Sequence, residues 1–377
     1  MNRILITGGA GFIGAHLSKM ALGAGHRVTI LDNLSPQVHG QGGSGFEPPQ
    51  GALFMRGDVT LRADLERAVR GVDTIVHLAA ETGTGQSMYE IDRYYGVNVQ
   101  GTALLFDVLA NVSHEVSNFV LASSRSVYGE GAYLCFTCEP DGWRCFPNPR
   151  SPQQLAANDW SPRCQECGDV VQPTATREKD RLSPASIYAT TKLAQEHLVS
   201  VACRAQGIAH TILRFQNVFG EGQSLTNPYT GILSIFSTRI RLGLPLPIFE
   251  DGEETRDFIH VADVADAILR CIEHPNDAGL TINVGSGQPT SILSVAELLC
   301  RTMNATSNLK ITGQYRIGDI RHNFADVSLI GKAMGFQPMV SLDDGMRRFC
   351  DWIATQPVPQ DLLEKANSEL KDRNLLG

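Results

Sequence analysis

The 377-residue sequence predicts an α/β protein: a Rossmann-type, doubly wound parallel sheet, a smaller C-terminal lobe and a Cys-rich insertion. Three observations predict it. Apolar runs of strand length alternate with helical periodicity through the first half, the pattern of βαβ units. A glycine turn follows the first of those runs. Five of the nine cysteines crowd into positions 135–167.

The elements follow in order. Strand 3–7 leads into glycine turn 8–11, helix 12–24 and strand 27–31. Residues 35–51, with five Gly and three Pro, read as a loop. Further strands are expected at 52–56, 74–78 and 118–122, with helices over 61–70 and 99–110 between them. A second style starts near 221, where Pro/Gly-rich loops, a short strand at 280–284 and a helix at 295–303 suggest a smaller lobe. The expected division is 1–220 with an insertion at about 130–175, a lobe over 221–356, and a charged surface helix over 357–377.

Composition removes several function classes. Hydrophobic residues at 42% and charged ones at 19% exclude a disordered chain. Lys+Arg 32 against Asp+Glu 40 gives a net charge of −8, which argues against nucleic acid as the main partner. No apolar run approaches the roughly 18 residues that span a bilayer, so no membrane partner is expected. The sequence opens directly on strand-like Arg3-Ile4-Leu5-Ile6-Thr7, leaving no room for a signal peptide. A cytoplasmic address is the expectation.

Thr7-Gly8-Gly9-Ala10-Gly11-Phe12-Ile13-Gly14 carries the first chemistry. Gly8 permits a tight turn, Gly11 lets backbone approach a pyrophosphate, and Gly14 allows close helix–strand packing. The helix N-terminus offers free N–H groups to phosphates. Because the turn joins a strand to a helix and Asp32 ends the next strand, it reads as a dinucleotide site. Asp32 would accept the ribose hydroxyls, and Asn33 beside it supplies no cation for a 2′-phosphate, favouring NAD over NADP. Asp58-Val59 would hold the adenine edge, although Asp58 also suits a helix N-cap.

Tyr188 and Lys192 stand four apart on one helix face. Hydride transfer at a carbinol needs a base for the hydroxyl proton, and Lys192 would lower the tyrosine pKa toward working pH. Ser124 lies just past a strand's C-terminal end, where open α/β sheets place ligands, and can share that proton.

These pieces, with Gly57-Asp58-Val59, His77-Leu78-Ala79-Ala80, Asn98, Val127-Tyr128-Gly129, Arg214–Gly220 and Arg256–Val261, resemble the extended short-chain dehydrogenase/reductases, specifically their nucleotide-sugar epimerases. The resemblance implies NAD on Gly8, Gly11, Phe12, Ile13, Gly14, Asp32, Asn33, Asp58, Val59, Leu78, Ala79, Ala80, Asn98, Tyr188 and Lys192. It also implies a nucleotide-diphosphate sugar in the second lobe, on Gln86, Ser124, Ser126, Asn217, Arg256 and Arg321. The two arginines would clamp the diphosphate, with a surface ion pair as their alternative. A homodimer through helices near 99–110 and 188–204 is implied as well.

Dehydratases of that superfamily carry Asp-Glu directly after the catalytic hydroxyl residue. Decarboxylating members keep a Glu at the second position, and 3,5-epimerases a Cys. Here the two positions are Arg125 and Ser126. That leaves 4-epimerisation by transient C4 oxidation and re-reduction, with an NAD-dependent 4-dehydrogenase or reductase as the alternative. A non-catalytic NAD-binding scaffold is opposed by the intact Ser124/Tyr188/Lys192 set.

Cys135-x2-Cys138 and Cys164-x2-Cys167 are two chelating knuckles, suited to a structural Zn²⁺ with four thiolates. Cys145 is a fifth candidate, and a redox pair or inert thiols remain alternatives. With this insertion the sequence is similar to bacterial dTDP-L-rhamnose 4-epimerases, which implies a dTDP-6-deoxyhexose such as dTDP-L-rhamnose as substrate.

Overall fold

The computed structural model describes residues 1–40, 46–225, 227, 229 and 231–377. Strands β1 (Arg3–Thr7), β2 (Arg27–Asp32), β3 (Leu53–Arg56), β4 (Thr74–His77), β5 (Asn118–Ser124), β6 (Ala209–Phe215) and β7 (Leu280–Val284) form one sheet. Its order is β7-β6-β5-β4-β1-β2-β3, and every pairing is parallel. Both faces are buried, as a parallel sheet requires. In β1, Ile4 and Ile6 enter one core and Leu5 the other, the period-two alternation of a strand.

Helices α1 (Phe12–Gly23) and α4 (Val261–Glu273) bring Leu17, Ala21, Val264 and Ile268 to the first face. Helices α2 (Gly101–Asn111) and α3 (Ile187–Gln206) bring Leu105, Leu109, Val199 and Cys203 to the second. The strand order reverses between β1 and β4, and open α/β sheets bind ligands at such a switch point.

The smaller lobe has its own core around Phe236, Leu299, Met346 and Phe349, and strands Asn217–Phe219, Thr255–His260 and Pro289–Ser291. Its expected limits need correction. Strand 280–284, assigned from sequence to this lobe, is the outermost strand of the large sheet, and α4 packs beneath that sheet as well. Local pattern marks a strand but not which sheet it joins. The chain therefore leaves the large sheet after β6 and returns to it.

Three smaller differences stand out. The expected loop 35–51 holds a helical turn, Pro36–His39, started by a proline at its first position; 41–45 lie outside the described residues. The helix expected from 99 is preceded by a π-helical stretch, Tyr95–Gln100, which 3.6-residue periodicity cannot reveal. The tail helix, Leu363–Lys371, buries Leu363, Ala366 and Leu370 along one face and so docks rather than lying free. Its Glu369 accepts hydrogen bonds from Tyr89 at 2.8 Å and Tyr229 at 2.6 Å.

Within the insertion, Trp143–Cys145, Tyr133–Cys135 and Gln172–Pro173 form a small antiparallel sheet. Its core is Tyr133, Cys135, Cys145, Cys164 and Val171, too few apolar residues to hold such a module alone.

Candidate active site

A cleft of about 530 Å³ runs from the glycine turn to the small lobe, within the range of small-molecule sites. Gly8 adopts φ +69°, and a Cβ there would lie 2.6 Å from Ala79 N. A Cβ on Gly14 would lie 2.5 Å from Gly9 Cα and 2.7 Å from Gly8 O, so the first turn of α1 rests on the glycine loop itself. Gly11 caps that helix and faces open space apart from Gly8 O at 3.2 Å. This leaves a bare helix N-terminus in the cleft wall, a cradle for phosphate.

Asp32 ends β2 with both oxygens engaged: Ala10 N donates at 3.1 Å and Leu34 N at 2.9 Å. A basic group absent from the sequence reading, His39 Nε2, stands 3.8 Å from Asp32 Oδ1. Asn33 donates to Asp58 at 2.9 Å, joining the two predicted adenosine contacts into one unit. Asp58 does not cap the helix that follows; it accepts from Thr60 N and Oγ1 in a local turn. Burial raises its pKa, but those bonds from Asn33 and Thr60 hold it below the usual carboxylate value. Phe12, Ile13, Val59, Leu78, Ala79 and Ala80 complete this end of the wall.

Ser124, Tyr188 and Lys192 all line the cleft, and Tyr188 hydrogen-bonds with Ser124. Ser124 terminates β5 and caps the 3₁₀ turn Arg125–Tyr128 by accepting from Ser126 N. Tyr188 opens α3, whose cap Ser186 accepts from Ala189 N, and its own N–H donates to Ser87 Oγ at 3.0 Å. Burial raises the Tyr188 pKa, while a hydrogen bond with Ser124 and the charge of Arg125 pull it down. Lys192 is buried and donates to Ala122 O at 2.8 Å; burial pushes its pKa down to about 8, against the pull of Glu196. The net shift of Tyr188 is upward, and Arg125, which sequence spacing did not mark, lines the same cleft.

Ser126 and Asn217 also line the cleft, and Ser126 Oγ is buried without a hydrogen-bond partner. So are both amide atoms of Gln216, a wall residue only 5% exposed that no sequence signal marked. These orphaned groups suit a polyhydroxylated ligand, since buried polar atoms want partners.

Four predicted contacts stand outside the cleft lining. Asn98 is fully buried behind the wall, where it holds Glu81 N, Glu81 O and Thr191 Oγ1. Gln86 is turned inward onto Gln37, Glu90 and Tyr94. Arg321 is buried against Glu250 at 2.9 Å and Asp251 at 2.7 Å, so its charge is already neutralised. Arg256 directs its donors at the carbonyls of Thr255, Ile320 and Arg321. Motif position marks all four, but the direction of each side chain is set by the partners that claim it, near in the chain for Gln86 and distant for Asn98 and Arg321.

The thiols of Cys135, Cys138, Cys164 and Cys167 lie within 4.8 Å of one another, with Cys135–Cys167 at 3.5 Å and Cys138–Cys164 at 3.7 Å. Thiolates at zinc's usual 2.3 Å in a tetrahedron stand about 3.8 Å apart, so the quartet fits that ion. Gly168, at φ +79°, turns the second knuckle, and its N–H donates to Cys164 O. Cys145 is buried beside the quartet but outside it. No residue of 131–175 lines the cleft. The insertion instead reaches the small lobe through buried Arg150, which meets Glu130 at 3.5 Å and Glu250 at 2.8 Å. Glu250 in turn pairs with Arg321.

Residues 4–152 and 163–285 match the model of the NAD dependent epimerase/dehydratase family. The dTDP-L-rhamnose 4-epimerase of Burkholderia thailandensis is 39% identical over 362 residues, covering 94% of this chain and 95% of that one. The Bacillus cereus UDP-glucuronic acid 4-epimerase, solved with UDP-glucuronic acid and NAD, superposes with TM-score 0.75 at 25% identity, covering 93% of this chain and 99% of that one. For the Thermus thermophilus UDP-glucose 4-epimerase solved with NAD, the TM-score is 0.73 at 25% identity, with 94% and 100% covered.

Proposed function

Because the chain belongs to the NAD dependent epimerase/dehydratase family, we propose that it is an NAD-dependent nucleotide-sugar 4-epimerase acting on a dTDP-6-deoxyhexose such as dTDP-L-rhamnose. The observation carrying this reading is the Ser124–Tyr188 pair in the cleft, followed by Arg125 and Ser126 where no carboxylate or thiol is available. NAD, held by Gly8–Gly14, Asp32 and Asp58, supplies a hydride acceptor and donor. Tyr188 takes the proton of the sugar's C4 hydroxyl, with Ser124 bonded to both, and returns it after the keto sugar has turned. Lys192, anchored to Ala122 O, fixes the helix face that carries Tyr188. Ser126, Gln216 and Asn217 hold the sugar during that turn.

Incubation with dTDP-L-rhamnose should give its 4-epimer with no NADH accumulating in solution. Stoichiometric NADH would make the protein a dehydrogenase. A structural Zn²⁺ on the four thiolates is part of the proposal, supported by the sulfur spacing. Elemental analysis should find about one zinc per chain, and Cys164→Ser should lower it and loosen 130–175 while sparing NAD binding. Unchanged zinc in that variant would bring Cys145 forward. A homodimer through α2 and α3 is supported by exposed Val201 on α3, and Val201→Asp should shift the sedimentation profile to monomer. No described helix is long and apolar enough to cross a membrane; a cytoplasmic address is supported by nine cysteines that form no disulfide among the described residues.

A further inference from the structure

The tail helix Leu363–Lys371 contributes no residue to the cleft lining among the described residues, yet it is tied to both sides of the cleft. One oxygen of Glu369, Oε2, accepts from two phenols, Tyr89 at 2.8 Å and Tyr229 at 2.6 Å. Tyr89 belongs to the stretch after β4, on the sheet side. Tyr229 lines the cleft and precedes Ile232 and Leu233, which pack into the small-lobe core. The two sides meet at Gly83, where φ is +119° and a Cβ would lie 3.3 Å from both Tyr229 Cβ and Tyr229 O. Thr82, Gly83 and Thr84 line the same cleft. Around Glu369 the helix is seated on both sides too. Leu370, 4% exposed, fits over Gly85, and Arg373 lies 4.2 Å above the Tyr89 ring. Ahead of the helix, Asp361 pairs with Arg239, a buried residue of the helix Ile232–Arg241 that follows Tyr229.

We propose that Glu369 is a positioning residue for the nucleotide-sugar end of the cleft: by accepting both phenols on one oxygen it fastens Tyr229 beside Gly83 and holds the two sides at binding width. Its consequence for substrate rests on the epimerase reading. Hydrogen bonds from Tyr229 and Tyr89 hold the Glu369 carboxyl below its usual value despite burial, so the acceptor is charged at neutral pH. Bonds to an ionised acceptor are about twice as strong as neutral ones. A wall side chain fixed before the ligand arrives spares the ordering cost at binding. The tail helix thereby shapes the site without touching the ligand.

The test is Glu369→Ala in the NAD-loaded protein, set against Glu369→Gln, whose amide oxygen can still accept from both phenols. Both tyrosines are partly exposed, so water can replace the lost acceptor and the fold should survive. Calorimetric titration with dTDP should show affinity about tenfold weaker in the Ala variant, as for a cleft at binding width about a tenth of the time. KM for dTDP-L-rhamnose should rise by a similar factor, with kcat and bound NAD little changed. Glu369→Gln should recover most of both losses. Unchanged dTDP affinity and KM in a folded Ala variant overturn the proposal, as does Glu369→Gln behaving like Glu369→Ala. A fall in kcat and bound NAD matching the rise in KM also overturns it, because the helix would then be a general support. Should the Ala variant not fold, Tyr229→Phe, which keeps the ring and removes one of the two bonds, should weaken dTDP in the same direction, and unchanged affinity there overturns the proposal. A dTDP affinity that shifts in a protein turning over no nucleotide sugar would defeat the epimerase reading and leave the Glu369 clasp standing. Failure of dTDP to bind the wild-type protein overturns both.

Discussion

At the cofactor end of the cleft, Gly8, Gly11 and Gly14 work through what they lack: a Cβ at Gly8 or Gly14 would come within 2.6 Å of backbone. At the sugar end, the groups that matter are long side chains, and the structure has already spent several of them. Arg321 is paired with Glu250 and Asp251, Gln86 with its neighbours, while Gln216 and Ser126 remain without partners. The difference is between a site made by backbone shape and a site made by leftover valence. A backbone site is specified within a few consecutive residues. A valence site is specified by which distant partners fail to arrive.

The comparison can be broken first at its centre. Tyr188→Phe, kept in the same helix and pocket, should lower kcat on the order of 10²–10⁴-fold while NAD still co-purifies. Near-wild-type turnover would remove the proton-transfer account. Next comes the sugar end. Arg321→Met leaves Glu250 with Arg150 and frees Asp251, which is 41% exposed, so the loss should fall below the ~3–5 kcal/mol of a fully orphaned buried charge. Thermal denaturation should therefore report a moderate loss, with dTDP affinity of the folded protein little changed. The reverse pattern, lost dTDP affinity at full stability, would restore Arg321 as a diphosphate clamp. Smallest is a shift at the cofactor end. Asp32→Asn keeps an acceptor for Ala10 N or Leu34 N but removes the charge that opposes a 2′-phosphate. The NAD-over-NADP preference should narrow by about tenfold, roughly 1.4 kcal/mol; calorimetric titration with both cofactors reads it, and an unchanged ratio would move the selectivity to His39.

Legibility in the sequence follows the same division. Gly8–Gly14, Asp32 and Asp58 can be placed at the cleft from sequence because their position depends on residue type and nearest neighbours. The cysteine quartet was readable too, since two knuckles carry their own ligand spacing. Asn98 and Gln86 were located correctly along the chain but turn away from the cleft, because Thr191 and Glu90 claim them. Arg125 stands out in the sequence only as the absence of a carboxylate. Its place in the cleft is set where the β5 turn meets α3, which no local pattern encodes. The pattern at 280–284 marks a strand, yet its partner β6 lies about 70 residues earlier.

That last pairing has a consequence for how the protein is made. On a ribosome, β1 to β6 emerge with the outer edge of β6 still bare, and the apolar flank of α1 uncovered until α4 has been synthesised. Non-local pairings of this kind are slow and leave exposed strand edges open to aggregation. A fragment stopped near 220 would keep its glycine turn and acidic residues but present a hydrophobic face and an unpaired edge. Such a fragment should accumulate in inclusion bodies, whereas one reaching 336, past β7, Ile330 and Phe336, carries the whole of the first core.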